Sequence, residues 1–216
     1  MNWTRFRYFL WIDTRFNFIA KLPIGGSLLD IGTSNGETLS HFNEARPDLQ
    51  LFATDIEGKP ALYPQNTQFK QGDITTDSLP WKSESIDGIT CMHLVEHIDT
   101  FDLLFAECYR LLKPGASLYI ETPHPKTLSL SLPYASQAGK FTYNFWDDLT
   151  HKLIMPVGKL ASLASPHGFE VSRVGTSRNW LFAILYPFSF LLSPRKKIIT
   201  RVHFIGWSSY IILVRK

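Results

Sequence analysis

Cysteine is scarce, with only Cys91 and Cys108 in 216 residues. His93 and His97 lie near Cys91, but no second ligand pair completes a zinc-type spacing. Two buried thiols in a reducing compartment are therefore expected, with no metal site and a cytoplasmic location. Long apolar runs are missing too. Trp180–Leu192 is nearly all apolar but is interrupted by Pro187 and falls short of the roughly twenty residues a membrane span needs. Residues 1–12 carry Arg5 and Arg7, and no small-residue cleavage site follows, so no signal peptide is read there. Repeats and low-complexity tracts are absent. Acids run out toward the end: residues 151–216 hold ten Lys/Arg and one acid, Glu170.

That last scarcity belongs to a wider asymmetry. Residues 24–150 carry seventeen acids against eight Lys/Arg, and residues 1–23 carry four Lys/Arg against one acid. Basic ends around an acidic middle either neutralise it by folding back or present a cationic surface to an anionic partner. Folding back is the simpler reading; Arg195-Lys196-Lys197 close behind Trp180–Leu192 favour an interfacial over a buried place for that segment, which allows peripheral contact with an anionic membrane at its inner face. The acidic half argues against a nucleic-acid partner. Apolar residues make up 44% and charged residues 19%, an ordinary globular composition for one domain.

The pattern alternates strands and helices. Strands are expected at 27–31, 50–55, 67–71, 85–92, 117–122, 170–174 and 207–214, and helices at 36–45, 101–112 and 156–166. Lys113-Pro114-Gly115 stops the second helix with a cation and a breaker pair. Such alternation implies a parallel sheet covered on both faces. Two insertions, 126–152 and 178–206, interrupt the domain spanning 24–216. An aromatic, basic leader, residues 1–23, precedes it as a helix, a lid or a membrane-surface element.

The first strand runs into Asp30-Ile31-Gly32-Thr33-Ser34-Asn35-Gly36. Glycine lets a ligand approach the backbone closely. Asp55, at the end of the second strand, suits a pair of ribose hydroxyls. The dinucleotide fingerprint needs Gly-x-Gly-x-x-Gly, and Ser34 stands where its second glycine belongs. A nucleoside without phosphates fits this loop better than a pyrophosphate.

Asp30-x-Gly32-x-x-x-Gly36 resembles motif I of class I S-adenosylmethionine-dependent methyltransferases. Asp55, Gln71-Gly72-Asp73-Ile74, Ile86-Asp87-Gly88-Ile89, His93-Leu94-Val95-Glu96-His97-Ile98 and Arg110-Leu111-Leu112-Lys113-Pro114-Gly115 resemble that family's later landmarks in order. The likeness is to the type 11/23 members and covers residues 25–125 well. It implies a Rossmann-like α/β fold with a seven-stranded, mostly parallel sheet of order 3-2-1-4-5-7-6, helices on both faces and only the last strand antiparallel. It implies S-adenosylmethionine as cofactor, held by Asp30, Gly32, Thr33, Gly36, Asp55, Ile56, Asp73, Ile74 and His93.

Methyl transfer mainly requires alignment and exclusion of water. A hydroxyl acceptor also needs a base. His97 is one candidate. His151 and Asp148 are others, in Asp147-Asp148-Leu149-Thr150-His151. That run resembles the Asp-Pro-Thr-His segment of bacterial methyltransferases found with glycan enzymes, with Leu149 in the proline's place. Asp148 either forms an acid–imidazole pair with His151 or caps the next helix. The expected acceptor is a small molecule or glycan, methylated at oxygen. A lipid-linked or quinone-like acceptor at the membrane surface, and a binding module without catalysis, are the alternatives.

Overall fold

The structure is a computed structural model and describes residues 3–130 and 142–216, so residues 131–141 of the first insertion lie outside the described residues. Seven strands form one sheet of order β3-β2-β1-β4-β5-β7-β6, as the resemblance implies. They are β1 (Ser27–Ile31), β2 (Gln50–Asp55), β3 (Thr67–Gln71), β4 (Ile86–Met92), β5 (Leu112–Pro123), β6 (Phe169–Ser177) and β7 (Ser208–Arg215). The pairs β1–β2, β1–β4, β2–β3 and β4–β5 are parallel. β7 runs antiparallel to both β5 and β6.

Successive strand residues point to opposite faces, and each face has its own core. Leu29, Ile31, Leu118, Ile120, Ile211 and Leu213 belong to one. It is covered by α4 (Asp102–Leu111), through Leu104, Phe105 and Cys108, and by α5 (Val157–Ala164), through Leu160. Leu28, Leu51, Ala53, Tyr119 and Tyr210 belong to the other. It is covered by α3 (Glu37–Ala45), through Leu39 and Phe42, and by the leader. Both cysteines are free and buried.

The leader forms α1 (Trp3–Phe6), a 3-10 turn at Leu10–Ile12 and α2 (Thr14–Ile19). Phe16 meets Phe42 edge-on at 5.3 Å and Phe18 lies 5.4 Å from Tyr119. Leu22 packs so closely on Gly88 that a Cβ there would stand 2.6 Å from its Cδ2. The leader's second half is thus part of the core. The second insertion forms α6 (Trp180–Leu185), a 3-10 stretch at Tyr186–Leu191 and α7 (Pro194–Ile205).

Most element boundaries agree with expectation within two residues. The fifth strand does not. It starts at Leu112 instead of 117 because Leu112 pairs with Ile86 before the chain bulges, with Gly115 at φ 77°. A breaker pair ends the helix but does not prevent pairing on the far side of the bulge. The sixth strand also runs on, to Ser177, beside β7.

Candidate functional site

Parallel strands β1, β2 and β4 all end on one side of the sheet, and two adjoining clefts open there. The first, about 390 Å³, is lined by Gly32, Asp55, Ile56, Asp73, Ile74, Leu94 and His97, among others. The second, about 610 Å³, is lined by His93, Glu96, His97, Asp148, His151 and Trp207, among others. His97 lines both.

The glycine-bearing loop forms the first cleft's edge. Gly32 has φ 78°, and a Cβ there would sit 3.3 Å from Leu94. Gly36 has φ 72°, and a Cβ there would stand 2.3 Å from the Tyr63 ring. Tyr63 cannot yield easily, since its hydroxyl donates to the Ser34 carbonyl at 2.8 Å and accepts the Lys59 N–H at 2.8 Å. Four of the loop's amides are spent internally. Gly32 N–H and Thr33 N–H donate to the Thr54 carbonyl, Gly36 N–H donates to the Thr33 carbonyl, and Ser34 N–H donates to Asp55 Oδ2 at 2.7 Å. A phosphate-binding loop instead aims free amides at its anion, so this one suits an uncharged sugar and base.

Two carboxylates face such a ligand. Asp55 accepts one amide on each oxygen, from Ser34 and from Glu57, and each oxygen keeps a further lone pair. Asp73 Oδ1 accepts from the Thr75 N–H and hydroxyl, which hold the carboxyl below its usual range. Its Oδ2 is left for a donor such as an amino group. Ile56, Ile74, Leu94 and Ile98 supply apolar surface. These residues fit an adenosine moiety.

The other residues expected to hold cofactor lie outside that lining. Asp30 is buried behind the loop and accepts the Thr90 hydroxyl at 2.6 Å; burial raises its carboxyl to about 6 despite the Thr90 and Thr33 bonds. Thr33 is buried and donates its hydroxyl to the Asp30 carbonyl, and Gly36 precedes α3. His93 lines the second cleft.

His93 follows β4 in a left-handed turn, φ 53°. Its Nδ1 lies 3.1 Å from Glu96 and its Nε2 3.4 Å from Glu121. Burial alone would lower its pKa, but the bonds to Glu121 and Glu96 raise it to about 10. Burial would raise Glu121, yet His93, Arg15 and Ser177 bring it to about 2. The Tyr119 and Ser177 hydroxyls both donate to Glu121 Oε2 at 2.7 Å. With both nitrogens protonated, His93 is a fixed cation and cannot accept a proton.

His97 is different. Its Nδ1 lies 3.2 Å from the Thr150 carbonyl, which can only accept, and 3.0 Å from the Thr150 hydroxyl. That hydroxyl donates to Asp148 Oδ1 at 2.6 Å. The proton of neutral His97 therefore sits on Nδ1, and Nε2 carries the lone pair. His151 repeats the arrangement, with Nδ1 2.5 Å from the Phe145 carbonyl. The two rings are 4.8 Å apart. Asp148 is 3.9 Å from His151 Nε2, too long for a hydrogen bond. It reaches His97 through Thr150 instead of pairing directly with His151, and Pro156, not Asp148, stands at the N-cap of α5.

Glu96, which is not among the expected site residues, adds a carboxylate. It is fully buried, and its Oε2 has no hydrogen-bond partner among the described residues. One ligand atom each from Glu96, His97 and His151 lies within 4.8 Å of the others. Two imidazole lone pairs and a carboxylate can take a proton, or hold a small divalent cation. Asp147, in contrast, is used locally: it accepts from Thr142 and Asn144.

A family model described as a methyltransferase domain matches residues 3–174. The chain is 33% identical over 179 residues to the mitochondrial ubiquinone biosynthesis O-methyltransferase of Rattus norvegicus, covering 76% of this chain and 50% of that one. It is 28% identical over 153 residues to methyltransferase pytC of Aspergillus terreus, covering 69% and 44%. The chain thus spans about half the length of these curated relatives. A solved S-adenosylmethionine-dependent methyltransferase from Archaeoglobus fulgidus superposes with a TM-score of 0.62 at 20% identity, over 99% of this chain and 92% of that one, a likeness of fold.

Proposed function

The chain belongs to the methyltransferase-domain family, and from that premise we propose that it moves a methyl group from S-adenosylmethionine to an oxygen of a small-molecule or glycan acceptor. One observation carries the reading: His97, with a lone pair on Nε2, lines both the cleft that fits an adenosine moiety and the second cleft. When bound, the sulfonium supplies a methyl carbon open to in-line displacement. Asp55 would accept from the ribose hydroxyls and Asp73 from the adenine amino group, with Ile56 and Ile74 offering apolar surface to the base. Asp30, buried behind the loop with Oδ1 held by Thr90, would act on the cofactor's amino acid end only at long range.

The acceptor enters the second cleft. His97 Nε2 takes the hydroxyl proton as the oxygen becomes nucleophilic. Thr150 and Asp148 keep the ring in the needed tautomer and stabilise its charged form. His93 and Trp207 wall the same cleft.

A second reading puts the acceptor on a lipid-linked or quinone-like carrier. Exposed apolar residues of 180–192, shortly before Trp207 in the chain, favour it, as do the relatives named for ubiquinone biosynthesis. Incubation with methyl-labelled S-adenosylmethionine and a panel of catechols, sugars and amines tests the oxygen assignment. Label is expected in an ether stable to mild base. Label found only in amines would contradict it, and label in no acceptor would favour a binding module.

A further inference from the structure

The second insertion leaves an apolar surface uncovered. Ile184 is 67% exposed, Phe190 69% and Leu191 75%, with Trp180 and Phe188 more than half exposed. These side chains come from consecutive turns of one short stretch between β6 and β7. Single exposed apolar residues are ordinary, but a contiguous group of large ones signals a partner.

The leader meets this stretch. Asp13 and Asn179 form an isolated antiparallel bridge, and Asn179 Nδ2 donates to Asp13 Oδ2 at 3.1 Å. The Thr14 N–H and hydroxyl both donate to the Arg178 carbonyl. Asp13 is fully buried and also bound to Arg15. The junction sets Trp11, 65% exposed, two residues from one side and Trp180 one residue from the other. Two segments some 160 residues apart in sequence, each with an exposed tryptophan close by in the chain, therefore meet at one junction.

Charge identifies the partner. Arg215 pairs with Glu84, Lys216 with Glu170 and Lys152 with Asp99, so part of the basic end does neutralise acids. Arg195, Lys196 and Lys197 are exposed and make no ion pair among the described residues. They occupy the first turn of α7, which holds no acid, where the helix dipole disfavours cations. Exposed tryptophan and phenylalanine beside unpaired cations match a bilayer surface, where rings enter the headgroup layer and cations meet anionic lipid. Among the described residues no helix is long and apolar enough to cross a membrane, so contact is peripheral.

We propose that residues 180–197, with the leader's Trp11, form a docking surface for an anionic lipid bilayer. The proposal goes beyond the methyl-transfer reading and does not depend on the acceptor. The helix that carries these cations reaches toward the second cleft further along: Arg201 of α7 lies 4.9 Å over the Tyr143 ring, and Trp207, which lines that cleft, donates its Nε1–H to the Tyr143 carbonyl at 2.8 Å. Docking would bring that cleft to lipid-anchored molecules.

Co-sedimentation of the full chain with phosphatidylcholine vesicles, with and without one quarter phosphatidylglycerol, tests this. Binding is expected only with the anionic lipid, weakening as salt rises. The triple variant R195Q, K196Q and K197Q should bind about a hundredfold more weakly, since each cation near such a surface contributes about 1 kcal/mol. The pair F188S and F190S should lose binding at all salt concentrations. Both variants should bind S-adenosylhomocysteine like the wild type, which separates this test from that of the methyl-transfer reading. Equal binding to neutral vesicles, no binding by the wild type, or a dimer dissociated by F188S and F190S would each overturn the proposal.

Discussion

Replacing His97 by alanine is expected to lower turnover by about 10²–10⁴, the range for loss of a positioned general base. Affinity for S-adenosylhomocysteine should change only a few-fold, because His97 contributes one wall of the first cleft while Asp55 and Asp73 remain. The mechanism of loss is specific. Among the residues lining both clefts, His97 has its Nδ1 proton committed to Thr150 and its Nε2 lone pair uncommitted. Thr150→Val should reproduce part of the defect, since Asp148 then has no route to the ring. Single-turnover rates of both variants, with and without chelator, check the account. An unchanged His97→Ala rate would remove the base. Loss of wild-type activity with chelator, restored by a divalent cation, would assign Glu96, His97 and His151 to a cation instead.

Replacing Asp55 by alanine is expected to weaken S-adenosylmethionine binding by about tenfold or more, equivalent to about 1.4 kcal/mol or more. Two effects combine. Ribose hydroxyls lose their acceptor, and buried donors left without one are costly. Ser34, held at φ 50°, also loses the bond that fixes its amide, and the loop between Gly32 and Gly36 relaxes. Asp55→Asn keeps one acceptor and should fall between. Calorimetry on the three proteins checks the order. Equal affinities would take Asp55 out of the site.

The sheet was legible because its strands report their faces. Leu28, Leu29 and Ile31 divide between the two cores as alternation requires, and the order of landmarks from Asp30 to Gly115 carried the topology. Residues of the first cleft are legible where the contact is local: Gly32, Asp55, Ile56, Asp73 and Ile74 all line it. For His93, the contact with Glu96 is local, but the contact with Glu121 depends on the pairing of Met92 with Glu121 across β4 and β5, a register that no local pattern encodes. Thr150 meeting His97, and Asp13 meeting Asn179, are distant contacts of the same kind. The orphaned Glu96 oxygen was illegible for a different reason: burial of one atom depends on everything packed around it.

The most direct measurement is a crystal structure of the chain with S-adenosylhomocysteine. The account predicts adenosine in the cleft beside Gly32, both ribose hydroxyls on Asp55, and the sulfur turned toward His97. A ligand bound elsewhere, or ribose hydroxyls away from Asp55 in a cleft that stays open, would contradict it.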